Sequence, residues 1–303
     1  MRLAICHLYP DLMNLYGDRG NVITLTRRSE WRGIRADVSA VGLGEDVDFT
    51  AYDILFMGGG QDKEQKLICE DFQGLKGRAL TQAVEDGIAF LAICGAYQLL
   101  GRYYETGCGE RLPGIGLLDV ETRAGKKRMI GNVVIASELG GGRPRTLVGF
   151  ENHSGRTYLG ARVRPLGRVC LGYGNNGEDG FEGAVYRNVV GTYLHGSVLP
   201  KNPWLADWLI ARALERRYGP TSLAPLDDGL ERAAHDAAII HAGRLARLYR
   251  TPVRSRDIAG TGRRRQPVRA TAGDDPEHKA NAAVAVVWRA TVAGQTMGKE
   301  DGK

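Results

Sequence analysis

The sequence predicts an α/β fold of three layers, with helices on both faces of a mostly parallel sheet. Three observations carry that expectation. Short apolar runs alternate with amphipathic stretches through residue 104, the pattern of strands joined by crossover helices. Residues 88–93 (Ile-Ala-Phe-Leu-Ala-Ile) are uninterrupted apolar, as a central strand covered on both faces must be. Two such runs end in small residues, at Gly58-Gly59-Gly60 and at Cys94-Gly95-Ala96. That suits loops at the carboxyl edge of the sheet, where open α/β folds bind their ligands.

The elements follow in order. Residues 3–7 suit a buried strand, 21–31 a helix and 37–41 a second strand. Residues 52–57 form a third strand that runs into the three glycines. Ile68, Phe72, Leu75, Leu80 and Val84 have helical spacing over 67–86, with Gly87 as the stop. From 112 to 195 the pattern changes to short β-rich runs (129–136, 146–150, 183–186, 189–194) separated by clusters such as Gly174-Asn175-Asn176-Gly177. These read as an antiparallel extension of the same sheet. Asn202-Pro203 opens a helix, with Asn202 as N-cap and Trp204, Leu205, Trp208, Leu209 and Ala213 as its apolar face. A last helix covers 229–249. Residues 1–250 are therefore expected to form one domain. Residues 251–303 are expected to be a basic, disordered tail in which only the short run 282–288 looks strand-like.

Of the 303 residues, 43% are hydrophobic and 25% charged, enough for a buried core. No apolar run reaches the roughly 18 residues of a membrane span, and the start Met1-Arg2-Leu3-Ala4 lacks the apolar stretch of a signal peptide. A cytosolic location is expected. The five cysteines include no C-x-x-C pair, so neither a disulfide framework nor a structural zinc site is indicated. The net charge of +6 is concentrated in the tail: residues 251–303 carry 10 Lys and Arg against 6 Asp and Glu, leaving 31 against 29 elsewhere. A nearly neutral body does not suggest nucleic-acid binding.

Cys94 follows a buried strand and precedes a helical stretch, a turn that exposes a nucleophile above the sheet and sets a thiol near helix amides that favour thiolate. A buried core cysteine is the alternative. Gly58-Gly59-Gly60 is able to aim backbone N–H groups at a developing oxyanion, or is a plain turn. His195, in Gly191-Thr192-Tyr193-Leu194-His195-Gly196, lies just past a strand, and a cysteine nucleophile needs such a base.

Together these residues resemble the triad-type (class I) glutamine amidotransferases of the cobyric acid synthase-like branch. Cys94-Gly95-Ala96-Tyr97-Gln98 matches the nucleophile turn, although Ala96 replaces the family's glycine. Gly58-Gly59-Gly60-Gln61-Asp62 matches the oxyanion loop and the run 191–196 the histidine motif. A narrower likeness, to the glutaminase subunits of bacterial lipid II isoglutaminyl synthases, rests on several further runs. These are Leu12-Met13-Asn14-Leu15-Tyr16-Gly17-Asp18-Arg19-Gly20-Asn21, Gly149-Phe150-Glu151-Asn152-His153-Ser154-Gly155-Arg156-Thr157 and Gly172-Tyr173-Gly174-Asn175-Asn176-Gly177.

The resemblance implies a flavodoxin-like α/β/α sandwich and a thiol mechanism without metal or organic cofactor. Cys94 and His195 are then catalytic, Gly59 and Gly95 supply oxyanion donors, and Arg128 and Gln98 bind the substrate glutamine. For Arg128, in Lys126-Lys127-Arg128, a solvated charge is the plainer reading. No G-x-x-x-x-G-K-[ST] loop occurs, so ATP-driven amidation is assigned to a partner, a Mur-ligase-like synthetase subunit. That partner would also handle the lipid-linked substrate at the cytosolic membrane face. Many relatives carry a glutamate two residues after the histidine, where this chain has Ser197. The orienting carboxylate is therefore expected from the partner, with Glu151 and Glu178 as internal alternatives.

Overall fold

The structure, a computed structural model, describes residues 1–250. The chain groups into two compact units, Met1–Ile239 and Ile240–Lys303. The expected tail from 251 onward, with its strand-like run, lies outside the described residues.

The first half builds β1 (Arg2–Leu8), α1 (Arg19–Glu30), β2 (Arg35–Val41), β3 (Ile54–Met57), α2 (Asp62–Phe72), α3 (Leu75–Glu85), β4 (Ala89–Ile93) and α4 (Gly95–Leu99). There follow β5 (Tyr103–Glu105), β6 (Arg111–Pro113), β7 (Val120–Ser137), β8 (Arg145–Leu159), β9 (Gly167–Leu171) and β10 (Phe181–Glu182). The remaining elements are β11 (Ala184–Tyr186), β12 (Val189–Thr192), α5 (Pro203–Tyr218) and α6 (Gly229–Arg250).

The main sheet has the order β11-β12-β4-β3-β1-β2. Every pairing in it is parallel except β11 with β12. Its centre is the most apolar part of the chain. All residues of β3 and β4 are buried, and Ile68, Phe72, Leu80, Val84, Leu25, Leu205 and Leu209 from the flanking helices join the same core. A parallel sheet needs helices to cover it, and the apolar stripes of α1, α2, α3 and α5 supply that cover.

The region after residue 102 differs from the single extended sheet that its β-rich runs suggest. A second sheet, β10-β9-β7-β5-β6 with β8 paired to β7, takes up most of it. Only β11 adds to the main sheet in antiparallel sense, while β12 joins it parallel to β4. Alternation identifies a strand but not its partner. The long β7–β8 hairpin, paired from Val120↔Leu159 to Ser137↔Arg145, makes the second sheet a body of its own.

Two local differences have simple causes. The helix expected over 67–86 is two helices, because Gly74 turns the chain with φ +84°, a conformation glycine adopts freely. Asn202 precedes α5 as expected but caps nothing with its side chain. Its amide instead accepts from Val148 N and donates to the Val148 and Val198 carbonyls, at 2.9, 2.8 and 2.6 Å. That ties the second sheet to the start of α5. Among the described residues no helix is long and apolar enough to cross a membrane.

Candidate active site

Three chain segments meet at the carboxyl edge of the main sheet: the turn after β1, the glycine loop after β3 and the turn after β4. Cys94 ends β4 with φ 51° and ψ −101°, a conformation that L-residues rarely adopt and that costs about 1–3 kcal/mol. Its amide donates to Thr192 O at 2.8 Å, and its carbonyl accepts from Gln98 N at 3.0 Å. The strained residue is thus pinned between β12 and the first turn of α4, as a nucleophile turn requires. The side chain is almost wholly enclosed.

His195 is held by backbone bonds to a strand of the second sheet. Its N–H donates to Phe150 O at 2.8 Å and its carbonyl accepts from Phe150 N at 3.2 Å. The imidazole is buried, and neither ring nitrogen closes a hydrogen bond with a described residue. Burial alone would lower its pKa. The charges of Cys94 and Asp18 outweigh burial and raise the value to about 10. The shift favours the protonated ring beside Cys94.

Asp18 is the residue that sequence reasoning missed. It is fully buried, and its Oδ2 stands 3.6 Å from His195 Nδ1. The separation exceeds a hydrogen bond, so the interaction is one of charge. Asp18 sits at the N-cap position of α1, yet it does not cap the helix. Asn14 Oδ1 accepts from Arg19 N at 2.8 Å instead, which leaves the carboxylate free to face the imidazole. Ser197, which stands where relatives carry glutamate, donates to Gly17 O at 2.6 Å and so braces the turn bearing Asp18. The chain thus places a carboxylate of its own near the imidazole, where one from the partner was expected. Of the alternatives weighed, Glu151 is taken by Tyr173 N and Gly174 N at 2.6 and 2.9 Å, and the structure gives Glu178 no contact with His195. A signal for Asp18 was present: an acidic residue in the loop after β1, at the sheet edge that carries the other two loops.

The glycines close the site. A Cβ at Gly59 would lie 2.7 Å from His195 Cε1, 3.4 Å from Asp18 Oδ2 and 3.5 Å from Cys94 Cβ, so the three side chains converge on a space only glycine leaves open. The expectation for Gly59 as an oxyanion donor needs correction. Its N–H donates to Asp18 Oδ2 at 2.7 Å and is not available to substrate. A Cβ at Gly95 would meet Gly60 N and Gly60 O, each at 3.0 Å. The Gly60 amide therefore lies against the nucleophile turn.

The two expected substrate contacts fare differently. Gln98 is buried and donates to the Tyr193 hydroxyl at 3.1 Å, inside a network in which Tyr193 also meets Thr157 Oγ1 at 2.6 Å and stacks on His153 at 3.6 Å. This contact ties Gln98 to the residue that follows the strand leading to His195. Arg128 is exposed, but it is not merely solvated. Asn152 accepts from its Nε at 2.5 Å and its Nη2 at 3.0 Å. No group of His, Cys, Asp and Glu among the described residues could hold a metal ion.

Comparison with known proteins shows what the chain is similar to. The chain is 43% identical over 242 residues to the lipid II isoglutaminyl synthase (glutamine-hydrolyzing) subunit GatD of Staphylococcus aureus, covering 80% of this chain and 97% of that one. The corresponding GatD of Streptococcus pneumoniae is 43% identical over 219 residues, 72% of this chain and 83% of that one. The cobyric acid synthase of Pelotomaculum thermopropionicum is 39% identical over 135 residues, only 25% of that protein. Among solved structures, PurLQS from Thermotoga maritima shares the fold, with a TM-score of 0.51 at 18% identity over 71% of this chain and 99% of that one. Residues 4–203 match the CobB/CobQ-like glutamine amidotransferase domain, and the chain belongs to that family.

Proposed function

We propose that this chain is the glutamine-hydrolysing subunit of a two-subunit lipid II isoglutaminyl synthase. It would release ammonia for amidation of the stem-peptide D-glutamate of the peptidoglycan precursor. The observation that carries the reading is the extent of the likeness: the chain spans 97% of the Staphylococcus aureus subunit but a quarter of a cobyric acid synthase. An ATP-using, Mur-ligase-like synthetase is the partner the reaction calls for, because joining ammonia to a carboxylate requires activation of that carboxylate. Residues 1–250 would form the amidotransferase domain, acting in the cytoplasm where the precursor is amidated.

In the proposed mechanism Cys94 attacks the side-chain amide carbon of glutamine. The N–H groups of Gly60 and Gly95 hold the oxyanion. The His195 imidazolium gives its proton to the departing nitrogen, ammonia leaves, and a γ-glutamyl thioester remains on Cys94. Neutral His195 then takes a proton from water, hydroxide adds to the thioester, and glutamate leaves as the thiolate and imidazolium reform. Two moderate barriers replace one high barrier. Asp18 stabilises the imidazolium throughout, and Arg128 takes the α-carboxylate of glutamine. No metal or organic cofactor enters.

Reconstitution tests the proposal. The Cys94→Ala chain assembled with the synthetase should amidate lipid II with ATP and free ammonia, but not with glutamine. Amidation from glutamine by that variant would refute the nucleophile. Failure of the wild-type pair to amidate lipid II from either source would refute the substrate.

A further inference from the structure

Two residues, Asn152 and Tyr16, connect the proposed glutamine-binding arginine to the histidine, and neither has a role in the mechanism above. Arg128 lies where the β7–β8 pairing shifts register, between Ala124 and Met129. Across the hairpin, Asn152 pairs with Ile130. Its side-chain oxygen accepts from Arg128 Nε at 2.5 Å, and its backbone oxygen accepts from Nη2 at 3.0 Å. The Asn152 amide nitrogen donates to the Tyr16 hydroxyl. The Tyr16 ring packs edge-on against the His195 imidazole, with centroids 4.9 Å apart at 67°.

We propose that Tyr16 and Asn152 form a clasp that positions Arg128 for the α-carboxylate of glutamine and seats the His195 imidazole. Recognition at one end of the substrate would then be coupled to chemistry at the other. The proposal rests on the reading of Arg128 as the carboxylate ligand.

An exposed guanidinium has several rotatable bonds, and holding one rotamer has an entropic cost. Asn152 fixes it through Nε and one N–H of Nη2. Nη1 and the second N–H of Nη2 stay free for a carboxylate. The asparagine is itself oriented, since one end of its amide serves Arg128 and the other Tyr16.

Tyr16 in turn is held in a left-handed conformation, φ 56°, which L-residues keep only where surrounding contacts over-determine them. Those contacts lie on both sides of it. Leu15 N donates to Gly59 O at 3.2 Å, and Gly17 O accepts from Ser197 Oγ at 2.6 Å. The same turn delivers Asp18 to the other side of the imidazole. The edge contact of the tyrosine ring restricts the orientation of the buried imidazole beside Cys94 and Asp18.

Steady-state glutamine hydrolysis by the full chain tests the clasp. Arg128→Ala and Asn152→Ala should each raise KM for glutamine about tenfold with kcat within about twofold, as loss of one charge-assisted hydrogen bond predicts, and Tyr16→Phe, which loses a neutral one, should raise KM about threefold. The double variant of Arg128 and Asn152 should be no worse in KM than Arg128→Ala alone, because the two act as one unit. Tyr16→Ala should also lower kcat and shift the alkaline limb of the pH profile, while Tyr16→Phe, which keeps the ring, should leave that limb in place. An unchanged KM in Asn152→Ala alongside a raised KM in Arg128→Ala would overturn the clasp and leave Arg128 as ligand. An unchanged KM in Arg128→Ala would overturn the reading of Arg128 and the clasp with it. A pH profile identical in Tyr16→Ala and the wild type would refute the seating of the imidazole.

Discussion

A methyl group at Gly59 has no space: it would stand 2.7 Å from the His195 ring and 3.5 Å from Cys94 Cβ. Gly59→Ala should therefore displace the imidazole while leaving the buried strand beneath it intact. We expect kcat for glutamine to fall on the order of 10²-fold, the cost of an ångström-scale misplacement, with an unchanged thermal melt. Activity near wild type would show that the ring shifts without penalty. Asp18→Asn removes the charge beside Nδ1 but keeps the shape. We expect kcat to fall on the order of 10²-fold or more, measured with the synthetase present and absent. If the variant is silent in both settings, the orienting role belongs to a carboxylate of the partner. Cys94→Ala should also lower the pKa of His195 from about 10, since charge on Cys94 is the largest of the effects raising it. Imidazole NMR titration would read this directly, and an unchanged value would rule out charge coupling between the two.

At the scale of elements, α1 carries Asp18 at its start and is fastened at its last turn. Arg28 is buried and forms a fork to Asp207 of α5, with Nε and Nη2 at 2.8 and 2.7 Å, and it also reaches Asp228 at 2.7 Å. Arg32 joins Asp207 at 2.8 Å. Burial works against the charge on Arg28, but these carboxylates more than offset it and stabilise the charged form. Arg28→Met should leave two partly buried carboxylates under-paired and destabilise the fold on the order of 3 kcal/mol, measured by urea unfolding. A loss under about 1 kcal/mol would mean that solvent screens the cluster.

Across the whole molecule, two buried groups give stability the same dependence on pH. Glu182 is fully buried and accepts from Tyr193 N at 2.7 Å and Thr192 Oγ1 at 3.0 Å. Burial raises its pKa from 4.5 to about 8, against those hydrogen bonds. Between these values the native state keeps a proton that the unfolded chain has lost, so stability falls as pH rises. His195 adds a fall from 6.5 to about 10, because its favourable protonation is complete below 6.5 and is lost through 10. Thermal melts should therefore decline from pH 5 to pH 10. Glu182→Gln should flatten the slope between pH 5 and 8 whatever its effect on the absolute midpoint. An equal slope in the variant would exclude Glu182 as a source.

The sequence by itself determined the parts that depend on local pattern. Strand β4 is an apolar run, α5 has an apolar stripe after Asn202-Pro203, and Cys94 and His195 stand at strand ends beside small residues; all of these were legible because periodicity and turn chemistry act between neighbours in the chain. Only the tertiary structure decided which strands pair, since alternation marks a face and not a partner, and so the second sheet was hidden in the β-rich region. It also decided the company of His195. Asp18 lies far from it in sequence, beyond α1, β2 and β3. The structure shows that Asn14 does the capping, that Gly59 uses its amide on Asp18, and that Asn152 bridges Arg128 to Tyr16. These contacts depend on where side chains point after the layers pack, a property that no local pattern encodes.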